Sequence, residues 1–167
     1  MAPQMIPVSA NYGTHLGALM ACMAKTTGDV LELGMGVFST PYLHYACLLA
    51  NRKLVSYDSD KKWGKWLEYY RSPMHEINFV DNWDDADIEK PWDVVLIDHD
   101  PSIRRKEDIK RLANFAKYIV IHDSTKTYYH TYAYHEIYPL FKYRKVWDKD
   151  QRRTDVLSNF IELENLW

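Results

Sequence analysis

Cysteine is scarce. Cys22 and Cys47 are the only two in 167 residues, and both sit in apolar surroundings within expected helices. Without a C-x-x-C pair, a cysteine-ligated zinc or redox centre has no basis, and the two read as reduced core thiols. Long apolar runs are missing too. No stretch approaches the ~18 residues of a membrane span, so no membrane partner is expected. The opening MAPQMIPVSANYG lacks a basic start followed by an apolar run, so it does not read as a secretory signal, and the cytoplasm is the expected address. Neither charge dominates: 21 Lys and Arg face 23 Asp and Glu, a net −2. A dedicated nucleic-acid binder would usually be strongly basic, so no nucleic-acid partner is expected.

What is present suits one globular domain. Hydrophobic residues make up 47 % of the chain, with 13 tyrosines, 6 tryptophans and 7 histidines. The length is enough to bury a core without disulfide or metal staples. Residues 1–13 read as an irregular N-terminal arm, and residues 1–167 as a single domain without repeat or linker.

Hydrophobic patterning alternates strand and helix. A helix is expected from Thr14, as its cap, to about Lys25. "DVLELG" reads as a buried strand, and "STPYLHYACLLA" as a helix capped by Ser39 or Thr40 with Pro41 in its first turn. "KLVSYDSD" and "HEINFVDNW" are strands, with "KKWGKWLEYYRS" helical between them. "WDVVLIDHD" is the clearest buried strand. "IRRKEDIKRLANFA" puts Ile103, Ile109, Leu112 and Phe115 on one helical face. "KYIVIHDS" is a fifth strand, and "KTYYHTYAYHEIYPLF" is helical up to Tyr138. "KYRKVWD" and "TDVLSNFIEL" close the chain around a short charged turn, as an antiparallel hairpin. The expected fold is α/β: a three-layer Rossmann-like sandwich with helices on both faces of a mostly parallel seven-stranded sheet.

Ligands of such sheets bind beyond the carboxyl ends of the strands. Every candidate end here carries an acid: Glu32 before Gly34 and Gly36, Asp58 and Asp60, Asp81 before Asn82 and Trp83, Asp98-His99-Asp100, and His122-Asp123. Converging carboxylates are costly without cations or hydrogen-bond donors, so the expected ligand is rich in hydroxyls, amines or metal. Gly34 and Gly36 let backbone approach that ligand closely. A dinucleotide fingerprint would need a third glycine where Ser39 stands, and Glu32 would repel a pyrophosphate. Asp58, 22 residues beyond Gly36, sits where an acid accepts from both ribose hydroxyls.

The series "VLELGMG", "LVSYD", "FVDNW", "WDVVLIDHD" and "YIVIHDS" resembles the motif order of class I S-adenosylmethionine-dependent methyltransferases, over roughly residues 14–163. The resemblance implies S-adenosyl-L-methionine as cofactor. It implies cofactor contacts from Glu32, Gly34, Gly36, Asp58, Asn82, Trp83, Asp98 and His99. "LIDHD" and "VIHDS" further resemble catechol-type O-methyltransferases, which implies Mg²⁺ or Mn²⁺ on Asp98 and Asp123. The lysine base of that group is missing, because Pro101 follows Asp100. The metal-free alternative makes His99, His122 or His15 a general base held by Asp98, Asp100 or Asp123. His15 and Tyr12 sit where the resemblance implies closure over the cofactor. Asp98, His99 and His122 are therefore the candidate catalytic residues. The Asn/Asp-Pro-Pro-aromatic signature of nucleobase N-methylation is missing from "DHDPS". The expected acceptor is a small molecule with a reactive hydroxyl. The aromatics of "TYYHTYAYHEIY" would wall its pocket or form a homo-oligomer interface, and Arg104, Arg105 and Lys106 read as a solvated helix start. The other expectation is a cofactor-binding module without chemistry that works inside a complex.

Overall fold

The computed structural model describes residues 8–167. Most of the expected arm, residues 1–7, lies outside them. Of its remainder, Ala10–Gly13 forms a 3-10 turn capped by Ser9.

Seven strands form one sheet: β1 (Val30–Leu33), β2 (Leu54–Asp58), β3 (His75–Phe79), β4 (Trp92–Ile97), β5 (Ala116–Ile121), β6 (Tyr143–Trp147) and β7 (Thr154–Ser158). Their order across the sheet is β3-β2-β1-β4-β5-β7-β6. The first five run parallel, and β7 enters antiparallel between β5 and β6. All seven expected strands form, and the closing hairpin is the antiparallel pair read from the short turn.

Strand side chains alternate between faces, so residue parity decides which layer each one enters. Leu31, Leu33, Val95, Ile97, Ile119 and Ile121 pack on one side with Ile109 and Leu112 of α4 (Arg105–Leu112) and with Tyr134 and Ile137 of α6 (Tyr134–Ile137). Val30, Leu54, Val94, Leu96 and Val120 pack on the other with α1 (Leu16–Ala24) and α2 (Ser39–Leu49). This is the expected three-layer sandwich. A small third cluster of Met35, Leu67 and Ile77 seals the β3 edge beside α3 (Lys61–Gly64).

The helices are shorter than the patterning predicts. Thr14 does not cap α1, because its hydroxyl donates to Asn11 O instead and His15 holds the cap position. Neither Ser39 nor Thr40 caps α2; both lie inside it, behind Phe38. The stretch after β2 breaks at Gly64 into α3 and a separate 3-10 turn, Glu68–Tyr70. Ile103 and Phe115 fall outside α4 and stay partly exposed. The aromatic stretch after β5 breaks at Ala133, whose φ of 55° is left-handed, leaving α5 (Lys126–Thr131) and α6.

Candidate active site at the carboxyl ends of the strands

Two cavities of about 320 Å³ each open at the carboxyl edge, and Met35, Trp63, Asp98 and Asp100 line both. Each is within the ~300–1,000 Å³ usual for small-molecule sites. A larger cavity of about 580 Å³ lies at the opposite edge. Its charged pair, Asp93 and Lys117, is already joined at 2.6 Å.

The turn after β1 forms the floor. Gly34 has φ +91°, and a Cβ there would meet His99 N at 2.5 Å, so this glycine lets the β1 turn touch the end of β4. A Cβ on Gly36 would meet only the Ser39 hydroxyl, at 3.0 Å, so its open side lines the cavity. Asp58 braces the turn. Its two carboxylate oxygens accept from Met35 N (2.8 Å) and Asp60 N (2.7 Å). Burial raises its pKa above the ordinary carboxylate value. Asp58 also lines the second cavity, and a carboxylate oxygen can accept more than one hydrogen bond, so a ligand hydroxyl has a candidate acceptor there.

Glu32 does not reach the cleft. It is fully buried on the α2 face, accepting from Thr40 Oγ1 (2.9 Å) and Ser56 Oγ (2.6 Å). Burial pushes its pKa up to about 7. Asn82 is exposed and accepts from Asp84 N, capping a short turn rather than lining either cavity. Trp83 is buried, stacked on His99 at 4.0 Å, with its indole N–H on Asp100 O.

Parity separates the candidate catalytic residues. Leu96 pairs with Val120 and Ile97 with Ile121, so Asp98 and His122 end adjacent strands in register and point to the α1 face. His122 Nδ1 lies 3.1 Å from Asp98 Oδ1, and its Nε2 lies 2.9 Å from Thr14 Oγ1. His99 turns the other way. Its ring is 1 % exposed, and its Nε2 lies 3.1 Å from Asp108 Oδ2. Burial lowers its pKa, with Asp108 opposing. His99 therefore anchors α4 with its ring turned from the α1 face, while the residue borders the cavity that Asp58 lines. Asp100 sits on the cavity wall, away from His122's contacts.

The paired-carboxylate metal site does not assemble. Asp123, at φ 56°, accepts from Arg152 Nη1 at 2.9 Å, and Arg105 Nη2 is 3.1 Å from Asp98 Oδ1. Asp123 is thus engaged by Arg152, while Asp98 shares Oδ1 between Arg105 and His122 and falls in a group with His15 and His122 rather than with Asp123. Burial pushes the Asp98 pKa upward, but His122 and Arg105 outweigh it and hold the carboxyl below its usual range.

Arg105 was the unexpected member. It is buried rather than solvated, donating from Nε to His99 O (2.7 Å) and from Nη1 to His122 O (3.4 Å). It ties the ends of β4 and β5 together. Its neighbour Arg104 binds Asp84 and Asp108 nearer the surface, and no local pattern distinguishes the two. Tyr12 lines the cavity, as its position before α1 suggested, and His15 is buried beside His122 with ring centroids 4.7 Å apart.

No protein-family model matches the chain, and no curated protein matches it. Solved structures do. Cofactor-bound Rv0187 from MTB aligns with a TM-score of 0.66 at 17 % identity, over 96 % of this chain and 85 % of that one. Human methyltransferase-like protein 13 in complex with SAH aligns with a TM-score of 0.66 at 11 % identity, over 90 % and 84 %. Spermidine synthase from Thermotoga maritima aligns with a TM-score of 0.65 at 14 % identity, over 93 % and 62 %. A specific likeness to catechol-type enzymes is not among these findings. At such identities the likeness speaks for architecture, and the architecture is that of the class I S-adenosylmethionine-dependent methyltransferases.

Proposed function

We propose that the protein is an S-adenosylmethionine-dependent methyltransferase acting on a hydroxyl group of a small-molecule acceptor. The observation that carries the reading is the cleft itself. Asp58, Asp60, Asp98 and Asp100 line connected cavities beside an open glycine turn, with an Asp98–His122 pair at one end. A ligand carrying a sulfonium and an ammonium suits that field. Asp58 would take the ribose hydroxyls, Gly34 to Gly36 would border the methionine part, and Asp98 would face its amine.

The cofactor supplies a methyl group on sulfonium, and transfer leaves the electron pair of the broken C–S bond on a neutral thioether. The chain supplies orientation and proton removal. His122 borders the cavity, with Nε2 2.9 Å from Thr14 Oγ1 and Nδ1 3.1 Å from Asp98 Oδ1. The imidazole would take the acceptor's hydroxyl proton, and Asp98 would stabilise the imidazolium formed. Tyr12 and Arg152 border the same cavity and would hold the acceptor.

Calorimetry with S-adenosylhomocysteine is the test. Micromolar binding is expected, with Asp58→Asn weakening it about 10- to 100-fold, the loss for a hydrogen bond to a charged group. A folded wild-type chain that does not bind it would overturn the reading.

A second reading, a cofactor-binding module inside a complex, rests on one surface. Tyr45, Leu48 and Leu49 of α2 and nearby Tyr69 are all exposed. Contiguous apolar surface suggests a partner. Cofactor binding without turnover on any of a panel of phenols, sugars and hydroxy acids would favour it.

A further inference from the structure

We propose that His15, Asp98 and His122 together bind one divalent transition ion of the zinc or iron(II) type. One ligand atom from each of the three lies within 4.8 Å of the others. Three observations point to a cation between them.

The first is His15. It is 1 % exposed, and neither ring nitrogen has a hydrogen-bond partner among the described residues. An unmet buried polar atom is costly and calls for a missing partner.

The second is His122. Its Nδ1 lies 3.1 Å from Asp98 Oδ1 and its Nε2 lies 2.9 Å from Thr14 Oγ1. Nδ1 and the carboxylate thus face each other at the separation of two ligand atoms on one ion, and Nδ1 is buried without a hydrogen bond among the described residues. The Thr14 contact is the outer hydrogen bond that commonly orients a ligating imidazole.

The third is the donor set. Two imidazoles and one carboxylate suit zinc, iron(II) or cobalt(II), whereas magnesium prefers oxygen ligands. Three protein ligands leave coordination positions open, and Asp98 and His122 both line the cavity.

This deepens the methyl-transfer reading of the same cleft, though the ion's binding does not depend on the methyl donor. A bound ion would lower the pKa of an acceptor hydroxyl, the task otherwise left to the free imidazole.

The test is titration of chelator-stripped full-length protein with Co²⁺ and Zn²⁺, followed by calorimetry and by the visible absorption of cobalt. One equivalent should bind, with cobalt bands of a nitrogen- and oxygen-ligated site, and Mg²⁺ should not compete. His15→Phe, which keeps a buried ring, should weaken binding at least about 100-fold, beyond the loss usual for an outer-sphere partner. His15→Gln is the second variant, and thermal melting shows that each is folded. His130 and His135, exposed with rings 5.1 Å apart, are the competing surface pair. The His130→Gln/His135→Gln double variant should bind as wild type does. The proposal is overturned if wild-type protein binds less than one equivalent, if binding survives in a folded His15 variant, or if the surface double variant abolishes it. S-adenosylhomocysteine binding in the same samples separates the two readings, since either ligand can fail without the other.

Discussion

Glu32 shows how much one side chain's direction matters. Its strand position beside two glycines placed it at the cofactor, yet period-two alternation sends it into the α2 layer with Ser56. There a line of donors leads to it: His44 Nδ1 lies 3.2 Å from His75 Nδ1, His75 Nε2 lies 2.9 Å from Ser56 Oγ, and the Ser56 hydroxyl donates to the carboxylate. Burial raises its folded pKa from 4.5 to about 7. The folded chain therefore keeps a proton that the unfolded chain releases. Its contribution is fully present below pH 4.5 and is lost as pH rises toward 7. Glu32→Gln lacks this dependence. Relative to wild type, the variant should gain on the order of 2–3 kcal/mol between pH 5 and pH 8. Urea midpoints at the two pH values measure it. A constant difference would mean that Glu32 is ionised throughout.

The same alternation explains which parts of the site were legible. Asp98 and His122 follow β4 and β5 at equivalent, even-numbered positions, so their meeting was implicit once both strands were read. His99, one residue on, faces the other layer by the same parity, with Nε2 on Asp108. Arg105 was not legible, because burying a guanidinium depends on the His99 and His122 carbonyls that receive it.

Among the elements, strands were read better than helices. A buried parallel strand is a short apolar run, and "DVLELG", "WDVVLIDHD" and "YIVIHDS" each hold one. Helix ends depend on caps and tertiary competition. Thr14 and Thr40 have capping chemistry but spend their hydroxyls on Asn11 and Glu32. Where two elements touch, the requirement is strict. Gly34 brings the β1 turn against the backbone at Asp98 and His99, and any side chain there meets both a left-handed φ and a 2.5 Å contact with His99 N. Gly34→Ala should cost more than the ~1 kcal/mol of left-handed strain alone, because backbone must also move. Denaturant melts of the variant check this, and a loss under ~0.5 kcal/mol would show that the junction is loose.

At the scale of the molecule, acid should be the weak side. His15 and His75 have folded pKa values lowered to about 4 by burial. Each stays neutral in the fold while the unfolded chain takes up a proton below 6.5, so stability falls as pH drops from 6.5 toward 4. Asp93, Asp98 and Asp108, all held below their usual range, add to the loss as pH falls further. Glu32 opposes with a single proton over much of the same interval. The melting temperature should therefore fall from pH 6.5 to pH 4.5, and a scan that stays flat would contradict the neutral state of the two histidines.

The insertion of β7 between β5 and β6 also sets an order of manufacture. β5 pairs with residues 155–157, through Ile119↔Leu157, Val120↔Val156 and Ile121↔Asp155. On the ribosome, β1 to β5 can assemble as a parallel sheet while that flank of β5 remains an open edge of Ile119, Val120 and Ile121, the kind that seeds aggregation. Synthesis of β7 covers it, and the exposed border passes to β6, where Arg144 and Lys145 discourage pairing with another chain. The last strand of this sheet thus protects the nascent protein as well as completing the sheet.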